Sequence, residues 1–363
     1  MGAGLASAKT PRPLHDPVTT FENLLSAPEP VLALAPMQDV TDLPFWGLMN
    51  RYGGADVYYT EYFRVHGDSR LEKWILESIT QNPTGRPVVA QMIGNDIPAL
   101  VRTARELQRH PIAAVDLNLG CPAPVVYRKC AGGGLLRDLP RVDAILGALR
   151  EAVSVKFTVK TRLGFDDPAV FEKLLPILAR HSLDLVTVHG RTVAERYRSA
   201  VHYDFIARAV AALPCPVLAN GNVCSATRAA EVLALTGARG LMIGRAAIRN
   251  PWIFQQIRQQ RRGEPVFQPR GHEVLDYVRA LYDTTSVPGR NPNQQVQKMK
   301  KYVNFLALGV EPTGRFLHDI RRVSSEADFF RICAEHLAHG EPMPLEPFPV
   351  VLHENDVLAG EHA

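Results

Sequence analysis

Eight short apolar runs recur along the chain, and the stretches between them carry apolar residues at helical spacing. This alternation calls for a parallel sheet. The runs are "VLALAPM" (31–37), "ADVYYTEY" (55–62), "PVVAQMIG" (87–94), "AAVDLNLGCP" (113–122), "SVKFTVKTRLG" (154–164), "LDLVTVHG" (183–190), "CPVLANGNV" (215–223) and "ARGLMIGRA" (238–246). Eight β/α units of this kind close into a (β/α)8 TIM barrel of the α/β class. A barrel takes about 250 residues, and the chain has 363, which leaves room for an appendage. Past residue 262 the strand pattern stops: "RRGEPVFQPRG" reads as a linker, and "HEVLDYVRALYDTT", "QQVQKMKKYVNFLALG" and "FLHDIRRVSSEADFFRICAEHL" read as a small C-terminal helical domain. The expected division is an N-terminal extension (1–28), the barrel (29–262), the helical domain (263–340) and a C-terminal tail (341–363) that ends in the acidic "HENDVLAGEHA".

Composition narrows the class. Hydrophobic residues make up 46% and charged residues 21%, and every apolar run is far shorter than the roughly 20 residues of a membrane span. The N-terminal "MGAGLASAKTPRPLHDP" lacks the apolar core of a signal peptide, so the expected location is cytoplasmic. The five cysteines form no C-x-x-C pair and are odd in number, which argues against a disulfide framework and against a metal site. The net charge of +4 is compatible with a polyanionic partner, and cations concentrate in "KMKKYVNF" and "HDIRRVSS".

Polar residues interrupt the strands at their C-terminal ends: Glu61, Gln91, Asn118 with Cys121, Lys160 with Arg162, His189, Asn220, and Arg245 after Gly244. That end of a TIM barrel is the catalytic face, because the βα loops converge there. Asn220, Gly221 and Asn222 after strand seven, with Gly244 and Arg245 after strand eight, stand where barrels bind phosphate; the plainer reading is turn chemistry. Lys160 could form a Schiff base, bind phosphate, neutralise an anionic ring or make a salt bridge. Together with the Gln91 amide it suits a flavin. Cys121 is either a buried structural thiol or a reactive group. An ordinary thiol, with a pKa of about 8.5, is mostly protonated at neutral pH, which fits a proton donor better than a nucleophile. The triple glycine at 132–134 in the same loop would let a ligand approach closely.

The segments "APMQDVTD", "TEYFRVHGD", "VAQMIG", "DLNLGCPAPVVYRKCAGGGLLRD", "VKTRLG", "VHGRT", "ANGNV" and "MIGRAAIRNPWIF", in this order, resemble the tRNA-dihydrouridine synthases over residues 31–335. The resemblance implies an FMN-bound barrel with a helical tRNA-binding domain, which uses NADPH to reduce a D-loop uridine to 5,6-dihydrouridine. By position, it assigns Pro36, Met37 and Gln38 to the flavin lining, Gln91 and Lys160 to its ring, and His189, Asn220, Gly221, Asn222, Gly244 and Arg245 to its phosphate. Cys121 matches the acid that protonates uracil C5 as hydride from flavin N5 reaches C6. Asn118 and Tyr197 match residues that touch the flipped nucleotide. Arg64, Lys300, Tyr302 and Arg321 resemble tRNA-binding positions of the bacterial subgroup acting at position 16, although Tyr302 stands where that subgroup has tryptophan. Asp39 stands where the family commonly has glycine, and "YRSAVHYDF" lacks the glycine that many members carry after the tyrosine. The expected partner is tRNA, with the protein a monomer and no membrane or protein partner implied.

Two rivals remain at this stage. One is a flavin barrel acting on a free pyrimidine, of the dihydroorotate or dihydropyrimidine dehydrogenase type, which leaves the basic helical appendage unexplained. The other is a non-catalytic tRNA-binding module, against which the Cys121 and Lys160 set argues.

Overall fold

All eight expected strands form in the computed structural model, which describes residues 20–348 except 287, 288 and 290. They are β1 (Val31–Leu34), β2 (Val57–Tyr59), β3 (Val88–Ile93), β4 (Ala114–Leu119), β5 (Lys156–Arg162), β6 (Leu185–His189), β7 (Val217–Asn220) and β8 (Gly240–Ile243). Each pairs in parallel with the next, and β8 pairs with β1, closing the barrel. The strands are shorter than their apolar runs because the chain leaves the sheet where side chains turn into the mouth. The second run breaks at Thr60–Tyr62 and resumes as Phe63–Arg64, which pairs with Met92 and Ile93 of β3.

Period-two alternation decides which side chains face inward. The interior carries Val31 and Ala33 with Tyr59, Val89, Leu185 and Met242, the last level with Ala33. Register then stacks the polar residues above them: Gln91 is level with Asp116, Asn118 with Lys160, Arg162 with His189, and His189 with Asn220. The outer faces of the strands pack on helices such as Ile97–Leu107, whose first turn is capped by Asp96 accepting from Ala99 N at 2.7 Å.

The last part of the N-terminal extension is built into the barrel. Phe21, on the helix Phe21–Ser26, is buried against the same interior cluster, a burial that stabilises by about 1.5–3 kcal/mol. Arg239 donates to the carbonyls of Leu24, Leu25, Ala27 and Glu29, holding that helix in place. Residues 1–19 lie outside the described residues.

The linker at 262–270 leads into four helices: Gly271–Thr285, Pro292–Leu306, Arg315–Arg322 and Glu326–Leu337. The expected single segment 316–337 is two helices, because Ser325 caps the second one by accepting from Asp328 N at 3.1 Å. This domain packs on the helices that follow β1 and β8. Tyr52 meets Trp252 and Tyr277 edge-on at 5.0 and 5.4 Å, and the Tyr277 hydroxyl donates to Ile248 O at 2.9 Å. Residues 341–348, assigned to the tail, are docked: Arg249 donates to Cys224 O and Leu345 O, both at 2.7 Å, and Phe348 N donates to Leu308 O. The acidic end at 353–363 lies outside the described residues. Among the described residues no helix is long and apolar enough to cross a membrane.

Candidate active site

At the C-terminal end of β4 the chain turns through Gly120 into Cys121. Asn118 holds this turn, with Oδ1 accepting from both Gly120 N and Cys121 N at 2.9 Å. Arg162 of β5 donates from Nε to Gly120 O at 2.9 Å, and Gly133 N donates to Cys121 O at 3.2 Å. A Cβ on Gly133 would lie 2.8 Å from that oxygen and 2.5 Å from Val193 Cγ2, and one on Gly134 would lie 2.5 Å from Tyr127 O. The triple glycine therefore admits the protein's own backbone and side chains, which corrects the expectation that it admits a ligand.

The Cys121 thiol is half-buried and unbonded to another cysteine. Burial pushes its pKa up; the Ala123 amide, the Tyr62 hydroxyl and the charges of Arg162 and Lys160 pull the other way. It is a protonated thiol with groups placed to accommodate the thiolate it would leave. Tyr62 escaped the sequence reading. Its signal was an aromatic beside Glu61 in a strand that has to break.

Below this turn lies a buried polar network. Thr158 Oγ1 donates to Asp116 Oδ1 (2.5 Å), Gln91 Nε2 donates to Asp116 Oδ2 (2.7 Å), and Asn118 Nδ2 donates to Gln91 Oε1 (2.8 Å). Gln91 and Asn118 thus each commit part of their amide to the protein and keep one N–H in reserve. Burial raises the Asp116 carboxyl to about 6.

Across the mouth stand Lys160, Arg162, Arg191 and Arg245, gathered around His189. Among the described residues none of the four cations has a carboxylate within ion-pair distance. Burial, then Arg162, lowers Lys160 to about 8. Burial followed by the same cations takes His189 well below its ordinary range, so its ring is neutral. Arg191 is lowered to about 10, again by burial and its cationic neighbours. Asp116 and Glu195 offset Lys160 and Arg191 only from beyond ion-pair distance, so the crowded, partly desolvated cations leave a positive mouth that favours an anion. Two loops edge it: Gly221 and Asn222 adopt φ of 126° and 47°, and Asn222 Oδ1 accepts from Arg191 at 3.4 Å. Asn220 Nδ2 is turned to Met242 O at 2.8 Å.

The third wall is the loop after β1. Pro36, Met37 and Gln38 are half-buried, and both polar atoms of the Gln38 amide are buried without a partner. A Cβ on Gly244 would lie 3.3 Å from Met37 Sδ, so the loops after β1 and β8 pack directly against each other here. The orphaned Gln38 amide and the crowded cations together fit a phosphate-bearing ring system. Asp39 has φ 60°, which accounts for glycine being common there. Among the described residues no three His, Cys, Asp or Glu side chains cluster as metal ligands.

The outer candidates are dispersed. Tyr197 is exposed, lying over Arg245 (4.1 Å) and Arg162 (5.3 Å). Arg64 is exposed beside Glu72 at 3.6 Å. Lys300 donates to Arg321 O at 2.9 Å, and Arg321 Nε donates to Asn304 Oδ1 at 3.1 Å. Tyr302 does not reach the surface. At 0% exposure it stacks on Phe45 with ring centroids 6.0 Å apart, its hydroxyl 3.4 Å from Val40 O. The expected tRNA contact is, in this structure, a packing residue between the domains, because its position lies on the inward stripe of its helix.

A sequence model of the dihydrouridine synthase (Dus) family matches residues 33–337. A Helicobacter pylori protein named probable tRNA-dihydrouridine synthase is 33% identical over 86% of this chain and 89% of its own length. A tRNA-dihydrouridine(16) synthase of Neisseria meningitidis is 29% identical over 83% of this chain and 93% of its own. The tRNA-dihydrouridine synthase B of Pseudomonas putida is 37% identical over 69% and 76%. The match runs through the barrel and the helical domain alike, and the chain belongs to the dihydrouridine synthase family.

Proposed function

We propose that this enzyme reduces a D-loop uridine of tRNA, at position 16, to 5,6-dihydrouridine, with FMN in the barrel mouth and NADPH as the electron source. It acts as a cytoplasmic monomer, with 29–262 as the catalytic unit and 263–340 as the tRNA-binding unit. The observation that carries this reading is a protonated thiol, Cys121, fixed at the backbone by Asn118 beside a cluster of four cations. The name of the Neisseria relative supports the position.

When bound, FMN supplies a hydride for uracil C6. Cys121 then gives its proton to C5, and Lys160 and Arg162 lower the cost of the thiolate left behind. Gln38 and the reserve N–H of Gln91 would hold the ring's polar edge, and Lys160 would offset its negative charge. Arg245, Asn220 and the backbone of Gly221, Asn222 and Gly244 would hold the phosphate, with His189 as a neutral donor among them. C5 and C6 are shielded in a stacked loop, so the base must be extruded, with Asn118 and Tyr197 receiving it. Arg64, Lys300 and Arg321 meet the tRNA backbone.

Mapping dihydrouridine in tRNA from a strain lacking this gene tests the reading. It expects loss at position 16 alone. Intact dihydrouridine at every site, with purified protein turning over free uracil or orotate, would favour the free-pyrimidine reading.

A further inference from the structure

The turn that carries Cys121 hangs from a hydrogen-bonded chain whose donor and acceptor directions all follow from one carboxylate. An ionised carboxylate only accepts. Asp116 therefore accepts from Thr158 and obliges Gln91 to present Nε2. That turns Gln91 Oε1 toward Asn118, obliging Asn118 to present Nδ2. Asn118 Oδ1 is left facing Gly120 N and Cys121 N, which only donate. Reversing Asn118 would set donor against donor at the turn, and reversing Gln91 would set its oxygen against the Asp116 carboxylate and its amide nitrogen against that of Asn118. Asp116, Gln91 and Thr158 are buried, with Asp116 and Thr158 level in the β4–β5 register, so solvent cannot repair a mismatch.

We propose that Asp116 is a positioning residue for the proton-transfer step. Without touching substrate, it fixes the amide orientations of Gln91 and Asn118 and through them the backbone seat of Cys121. The inference rests on Cys121 being the proton donor.

The test uses four variants of the hydrogen-bonded chain and Cys121→Ala as a control, with two readouts: the rate at which iodoacetamide alkylates Cys121, followed by peptide mass spectrometry, and dihydrouridine formation on tRNA. In Asp116→Asn, the new Oδ1 accepts from Gln91 while its amide donates to Thr158, so both rates stay within about threefold of the parent. Asp116→Leu removes the acceptor; kcat falls about 30-fold, the worth of one to two buried hydrogen bonds, while KM for tRNA holds. Asn118→Asp can no longer donate to Gln91, so one acceptor faces another and Cys121 alkylation changes several-fold. Adding Asp116→Asn to Asn118→Asp reverses the two bonds made by the Gln91 amide, while Thr158 still donates to residue 116 and the turn N–H groups still donate to residue 118, so every bond is satisfied and the alkylation rate returns toward that of the parent.

Unchanged rates in Asp116→Leu, or a double variant no better than Asn118→Asp alone, would overturn the proposal. Should Asp116→Leu fail to fold, the near-isosteric Asn118→Asp pair still decides. If Cys121 is not the donor, the alkylation pattern persists while Cys121→Ala turns over normally, which separates the two failures.

Discussion

Glu61 accepts a hydrogen bond from the backbone of Val40 at 3.1 Å, while its second carboxylate oxygen is buried without a partner. Burial raises this carboxyl from 4.5 to about 7. Between those values the folded chain holds a proton that the unfolded chain has released, so stability falls as pH rises through the window, by about 3 kcal/mol in all. Glu61→Gln keeps the acceptor and removes the charge. Melting temperature against pH should be flatter for the variant between pH 4.5 and 7, with its largest gain above pH 7; parallel curves would contradict this.

Lys160 titrates near 8 because burial and Arg162 disfavour its charge. An anionic ligand would favour the protonated form, so FMN affinity should fall as pH rises through about 8. His189, neutral throughout, adds no limb on the acid side. In a fluorescence titration, Lys160→Met should bind FMN roughly tenfold more weakly and without that limb. A variant that keeps the limb would remove Lys160 from the anion site.

Tyr302 bridges helix Pro292–Leu306 and the loop after β1, where Lys301 also pairs with Asp39 at 3.6 Å. Tyr302→Ala should cost roughly 3–5 kcal/mol in denaturant unfolding by opening a cavity. Tyr302→Phe loses only a long hydrogen bond and should leave tRNA affinity unchanged. Tenfold weaker tRNA binding by Tyr302→Phe at equal stability would restore a direct RNA role.

If the basic side chains meet phosphates, tRNA affinity should fall steeply with salt, and Arg64→Ala should reduce the log–log slope by about 1. Arg64 is exposed and its contact with Glu72 is loose, so fold stability should not change. An unaltered slope would place Arg64 outside the interface.

The barrel was legible because parallel strands buried on both faces must be apolar runs, and because their polar interruptions fall at one end. The four-cation cluster was half legible: Lys160, Arg162 and Arg245 sit on strand ends, whereas Arg191 enters from the loop after His189. What the sequence could not show depends on packing between distant segments. The triple glycine looked open until Val193 and Cys121 closed on it. Tyr302 looked exposed among lysines, though Met299, Val303 and Leu306 mark the buried stripe it shares. Asp116 passed as one more strand residue because the direction of a hydrogen bond leaves no trace in spacing.

The most direct measurement is a single-turnover comparison of Cys121→Ala with the parent, both loaded with FMN and reduced, then mixed with tRNA lacking dihydrouridine. Loss of a general acid slows a reaction by about 10²–10⁴-fold. The account predicts a loss of that size in dihydrouridine formation, with flavin content and tRNA affinity unchanged. An undiminished rate, or protein that takes up no flavin at all, would contradict it.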